Sequence, residues 1–155
     1  MEPMGSYTVT RLTTVNAPVE RVHALVDDLH SWQQWSPWEG LDANLQRTYS
    51  GADKGVGATY AWTGNKKAGQ GTMKIVRSEE QNIDVDVTFV KPFKSTSTSH
   101  FTFTPSGEGT TVEWRMTGEQ NALMSVIGKL WPMDKMMGPD FEKGLARLKA
   151  TAERA

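Results

Sequence analysis

Alternation dominates the middle of the chain. Over residues 82–91, Ile83, Val85, Val87 and Phe89 share one parity and Asp84, Asp86 and Thr88 the other, the period of a strand with one buried face. Residues 94–104 repeat the pattern, with Phe101 and Phe103 set against His100, Thr102 and Thr104. Residues 110–118 follow with Val112, Trp114 and Met116 on one side. Shorter runs at 44–49, 57–63 and 71–77, and the β-branched run 7–15, bring the total to about seven strands. Turns rich in glycine, such as 50–55, 64–67 and 106–109, join the later strands, which predicts an antiparallel meander rather than βαβ units.

The period changes twice. Val22, Leu25, Val26 and Leu29 recur at helical spacing, predicting a helix over 19–29 with Asn16 as its cap and Pro18 near its start. One short helical turn is expected at 30–35. Near the C-terminus, Met133, Met137, Phe141, Leu145, Leu148 and Ala152 form a stripe, with Lys135, Glu142, Lys143, Arg147 and Lys149 off it. This predicts a long amphipathic helix, kinked at Gly138-Pro139 or starting its last rigid part there.

A sheet with one apolar face must be covered, and the C-terminal helix is the only large partner in the chain. The inward positions are bulky: Tyr60, Trp62, Met73, Phe89, Phe101, Phe103, Trp114 and Met116, facing Met133, Met137 and Phe141. A curled sheet with such a lining predicts an aromatic-walled cavity against the helix. Trp32, Trp35 and Trp38 lie within one short segment and hold half of the six tryptophans. They either seal one end of the core or, at Trp35 or Trp38, form the cavity wall. Trp131-Pro132 makes the start of the last helix a candidate gate, and Met133, Met136 and Met137 are either core filler or an adaptable lining.

Several pieces, taken in order, carry a resemblance: Asn16-Ala17-Pro18 with Val22, Trp35-Ser36-Pro37-Trp38, Tyr49-Ser50-Gly51, Gly55-Val56-Gly57-Ala58 with Tyr60 and Trp62, Gly69-Gln70-Gly71 with Met73, and residues 141–149. Together they span nearly the whole chain. The order of elements with these pieces resembles the helix-grip superfamily of START domains and birch-pollen-allergen-like proteins. The likeness is strongest to small bacterial SRPBCC proteins of the polyketide cyclase/dehydrase-like kind. The resemblance implies an α+β helix-grip fold: a curved antiparallel sheet of about seven strands around a long C-terminal helix, with one or two short helices after strand 1. It implies one domain over 1–155 and a deep apolar cavity entered near the loops and the helix start. Members bind lipids or other hydrophobic molecules, cyclise or dehydrate polyketides, or have no known activity.

Composition removes other classes. Lys+Arg 17 against Asp+Glu 18 leaves a net charge of −1, so no basic excess exists for nucleic acid. The absence of cysteine excludes disulfides, thiolate metal sites and a Cys nucleophile, and suits a reducing cytoplasm. No secretory signal or stably membrane-inserted segment is expected. The histidines His23, His30 and His100 lack ligand spacing, so no metal and no cofactor is expected, and no nucleophile motif appears. Asp84 and Asp86 are expected on the solvent face, as are Glu113 and Arg115, which oppose Trp114 in parity. The glycines of 55–57 and 69–71 precede no helix and are read as turn residues, not phosphate loops.

Three functions fit. The first is binding or transport of a hydrophobic small molecule, such as a lipid, isoprenoid, aromatic polyketide or quinone, by a monomer or homodimer in the cytoplasm. Its expected contacts are Trp35, Trp38, Tyr60, Trp62, Met73, Phe89, Phe101, Trp114, Met133, Met137 and Phe141. The second is a cyclase or dehydratase in the same cavity, needing an inward polar group from among Tyr60, Glu113, Arg115 and His100. The third is a docking module using exposed Trp35 and Trp38 or the last helix.

Overall fold

The computed structural model describes residues 6–91, 94–119 and 133–154. Among them, seven strands form one antiparallel sheet: β1 (Ser6–Val15), β2 (Gln46–Ser50), β3 (Thr59–Thr63), β4 (Gln70–Glu79), β5 (Asn82–Lys91), β6 (Ser95–Ser106) and β7 (Gly109–Glu119). Their order across the sheet is β1-β7-β6-β5-β4-β3-β2, a meander in which the first strand folds back beside the last. Helix α1 (Val19–Asp27), a 3₁₀ helix (Leu29–Gln34) and helix α2 (Met133–Arg154) complete the described fold. The curved sheet closes around α2 as expected. Asn82–Lys91, the cleanest alternation in the sequence, is β5 to the residue.

Parity follows hydrophobicity. Val112, Trp114 and Met116 are buried beneath α2, and Ile83, Val85 and Val87 join them. Glu113 and Arg115 therefore lie on the outer face. There His100 Nδ1 meets Asp84 at 2.9 Å and Nε2 meets Thr117 at 3.3 Å, across three strands.

Two local expectations change. Asn16 does not cap α1. Pro18 does, its carbonyl accepting the N–H groups of Arg21 at 3.1 Å and Val22 at 3.3 Å. The Asn16 N–H instead donates to Glu153 at 2.7 Å, fastening the end of α2 to the end of β1. The helical turn after α1 runs over Leu29–Gln34, started by Asp28, whose carboxylate accepts from the His30 N–H at 2.9 Å. Pro139 is inside α2, within the run Met133–Arg154.

The tryptophan segment has a structural task visible in its hydrogen bonds. The last carbonyls of a helix have no intrahelical donor. In α1 those of Leu25 and Val26 are met by the indole N–H groups of Trp35 at 2.8 Å and Trp32 at 2.9 Å. The rings then pack inward, with Trp32 edge-on to Phe101 and both Trp32 and Trp35 edge-on to Trp114. Helix α2 holds this segment down: Arg147 donates to the Ser36 carbonyl at 3.0 Å and Thr151 to that of Gln34 at 3.4 Å. His23, whose place off the main apolar stripe of its helix predicts solvent, is half-buried, edge-on to Phe103 and donating to the Glu79 carbonyl at 2.9 Å.

Candidate functional site

One strand decides where the interior is full and where it is hollow. The inward positions of β6 are Ser95, Ser97, Ser99, Phe101 and Phe103 in order. At the phenylalanine end, Phe101 stacks on Trp114 at 5.1 Å, and Trp114 lies parallel to Phe141 of α2 at 4.0 Å and 5°. That end is solid. At the serine end the side chains shrink, and a cavity of about 410 Å³ opens between sheet and α2.

The cavity floor follows a register row crossing all seven strands, in which Tyr7, Gly118, Ser97, Val87, Met73, Tyr60 and Tyr49 are successive partners; Tyr7, Ser97, Val87, Met73 and Tyr60 line it. Its middle is small and its ends are tyrosines. Gly118 is required where it is, since a Cβ there would come within 2.6 Å of the Tyr7 hydroxyl. The next row toward the opening is Ser95, Phe89, Gly71, Trp62 and Arg47. Trp62 lies over Gly71, whose Cβ would meet the indole at 2.6 Å and the Thr88 carbonyl at 2.4 Å. Tyr60 and Trp62 stack at 5.9 Å, and Phe89 meets Trp62 edge-on at 5.4 Å.

The opposite wall comes from Leu29, Trp32, Pro37 and Trp38 and from Met137 of α2. The rim joins Leu41 and Leu45 to Lys67 and Ala68. Asp42 ties these two loops, accepting the N–H groups of Asn44 and Asn65 at 2.8 Å each.

Polar groups are few, and they are grouped. Beside Tyr60, the Glu39 carboxylate accepts from Arg47 Nη2 at 2.5 Å, and Arg47 also donates to the Tyr60 phenol. Burial first, and then the Glu39 charge, push Tyr60 up to about 12. Tyr49 is raised as well, by burial against a hydrogen bond from Gln33. At the other end of the floor, burial raises Tyr7, which shares a hydrogen bond with Ser97. Near neutral pH the lining phenols Tyr7 and Tyr60 thus remain protonated, able to donate a hydrogen bond but not to act as bases. Ser36, Asp140 and Lys143 add polar edges.

Of the expected contacts, Trp38, Tyr60, Trp62, Met73, Phe89 and Met137 line the cavity. Trp35, Phe101, Trp114 and Phe141 do not. Each is fully buried in the aromatic cluster behind it, where Phe101, Trp114 and Phe141 stack and Trp35 packs edge-on against Phe101 and Trp114, leaving no room between the rings. The side chains of Met133 and Met136, and the expected gate at Trp131-Pro132, lie outside the described residues. Of the polar candidates, only Tyr60 reaches the cavity; Glu113, Arg115 and His100 are on the outer face. Trp35 is buried and Trp38 half-buried, so neither forms an exposed docking patch.

Tyr7, Glu39, Ser95 and Ser97 escaped the sequence reading, and Trp32, expected only to seal the core, also lines the cavity. Counting back by twos from Phe103 reaches Ser97 and Ser95, a signal present in the strand. Glu39 sits in a loop whose placement depends on the distant Asn65.

Among the described residues, no group of three His, Cys, Asp or Glu could hold a metal ion, and no helix is long and apolar enough to cross a membrane. No curated protein matches the sequence significantly. Solved structures do match in fold. The di-domain ARO/CYC StfQ of the steffimycin biosynthetic pathway aligns over 97% of this chain and 51% of its own, at 16% identity and TM-score 0.71. Protein TTHA0849 of Thermus thermophilus aligns over 96% and 98%, at 20% identity and TM-score 0.67. Ara h 8.0201 aligns over 97% and 100%, at 13% identity and TM-score 0.64. These likenesses carry the helix-grip fold alone. Residues 5–153 match the model of the polyketide cyclase / dehydrase and lipid transport family, and the chain belongs to that family.

Proposed function

We propose that the protein binds or carries a hydrophobic small molecule, an aromatic polyketide, isoprenoid or lipid, in the cavity between sheet and α2. The observation that carries this reading is the lining itself. Trp32, Trp38, Tyr60, Trp62 and Phe89 present ring faces and edges around about 410 Å³, a volume suited to a molecule of a few fused rings. Met73 and Met137 add surface that adapts to varied shapes. The near-neutral net charge supports a small-molecule rather than a nucleic-acid partner. The reading takes residues 1–155 as one domain acting in the cytoplasm, as a monomer or homodimer.

A cyclase or dehydratase is the second reading. It is favoured by Tyr60, a phenol inside the cavity with Arg47 and Glu39 beside it, and by the likeness in fold to StfQ, an ARO/CYC protein of a biosynthetic pathway. A protonated Tyr60 offers a donor to a carbonyl, and the walls would fold a reactive chain.

Native mass spectrometry of the purified protein, with organic extraction, tests the first reading. The expected result is a co-purifying hydrophobic molecule. Added back at about a hundred times its Kd, it should stabilise the fold by roughly 2.7 kcal/mol, a rise in Tm of about 5–11 °C. An empty protein whose Tm is moved by no member of a lipid and aromatic panel overturns it. Turnover of a polyketide mimic that is lost in Tyr60→Phe with binding retained would favour the second reading.

A further inference from the structure

The inward serines of β6 leave one side of an otherwise apolar cavity covered with hydroxyl groups. Ser99, deepest of the three, is already used: it accepts the Trp114 indole N–H at 3.1 Å. Ser97 and Ser95 face the cavity. Tyr7 reaches Ser97 across Gly118, a residue whose missing side chain is what lets the phenol lie there. Phenol and serine hydroxyl each carry one proton and can each accept. The bond between them uses one proton and leaves the other to be directed elsewhere.

We propose that Tyr7 and Ser97, with Ser95 beside them, form a hydrogen-bonding edge that holds a ketone or quinone oxygen of the ligand, selecting carbonyl-bearing ring systems over hydrocarbons of equal shape. This rests on the binding reading above and adds to it the residues that discriminate. The apolar body of the ligand lies toward Trp62 and Phe89, the far side of the same two register rows. The phenol of Tyr7 is held protonated by burial, so it can donate across the neutral range. An occupant without an acceptor displaces water from these hydroxyls and returns nothing, and a site built on hydrogen bonds rejects such analogues strongly.

Acetylnaphthalene and isopropylnaphthalene make the test, being nearly equal in shape while only the first has a carbonyl oxygen. Their Kd values are measured by tryptophan fluorescence on the wild-type chain, Tyr7→Phe and Ser97→Ala, with the infrared carbonyl stretch of bound acetylnaphthalene as second readout. In Tyr7→Phe the ratio of the two affinities should shift toward isopropylnaphthalene by about tenfold, and the carbonyl stretch should rise as its hydrogen bond is lost. Ser97→Ala should move both in the same direction. If both probes bind and neither ratio nor stretch changes in either variant, the hydroxyl edge does not read the ligand and the inference falls alone. If neither probe binds the wild-type chain, the binding reading falls with it.

Discussion

Truncating Phe141 and Phe89 separately distinguishes the solid end of the interior from the hollow one. Phe141 is fully buried and lies parallel to Trp114 at 4.0 Å. Burying such a ring is worth about 1.5–3 kcal/mol by transfer, and the stack adds about 0.5–1.5 kcal/mol. The void left in a cluster of rigid rings cannot collapse, which brings Phe141→Ala to about 3–5 kcal/mol in all. Phe89 is only half-buried and already borders open space, so Phe89→Ala enlarges a cavity rather than creating one. Its loss should be about 1–2 kcal/mol, mostly the edge contact with Trp62 and part of the transfer term. For a chain of this length each kcal/mol moves Tm by about 2–4 °C. Thermal and urea unfolding followed by circular dichroism should therefore show Phe141→Ala down by about 12 °C and Phe89→Ala by about 4 °C. Ligand binding should suffer in the reverse order. Equal destabilisation by the two variants would refute the division between sealed core and lined cavity.

All three tyrosines of the chain are raised, Tyr60 up to about 12 and Tyr7 and Tyr49 by direction. The unfolded chain ionises first, so their contribution to stability is whole below about pH 10 and falls as pH climbs toward about 12. A phenolate absorbance titration of the native protein should lag that of the urea-unfolded chain, with Tyr60→Phe removing the latest component; a tyrosine ionising normally in the native protein would contradict this. Gly71→Ala places a methyl 2.4 Å from the Thr88 carbonyl and 2.6 Å from the Trp62 ring, and should lower stability by about 1–3 kcal/mol in urea melts while weakening aromatic probes. Wild-type stability in that variant would show that the row around Trp62 is looser than described.

The strands and the long helix were legible because each carries its own period: Ile83 to Phe89 alternate without error, and Met137, Phe141, Leu145 and Leu148 repeat at helical steps. The interior was legible as a set but not as a map. Phe101 and Trp114 look the same in sequence as Phe89 and Trp62, and only the neighbours in register separate a stacked ring from a lining one. Ser95 and Ser97 were harder to see for a different reason: they continue the inward parity of Phe101 and Phe103, but a hydroxyl adds no hydrophobic signal to mark a position as interior. Asn16 has the chemistry of a helix cap, yet it stands two residues before the cap position at Pro18, and its backbone N–H donates to Glu153, far away in the chain. Such pairings depend on where α2 ends, which no local pattern contains.

Among the described residues the meander leaves β2 at the edge, a strand of five residues paired with β3 alone and exposed at nearly every position. Local unfolding begins where few bonds and little buried surface hold a segment, and in this sheet that place is the β2–β3 hairpin. The hairpin bears Tyr60 and Trp62, so the aromatic wall of the cavity is mounted on its least anchored part. The Glu39–Arg47 ion pair and the stack of His30 on Tyr49 at 3.8 Å act as clasps on that flap, each worth about 1 kcal/mol or less. Amide protons of β2 should then exchange ahead of those in β6 and β7, and each opening of that short hairpin would carry Tyr60 and Trp62 away from the cavity with it.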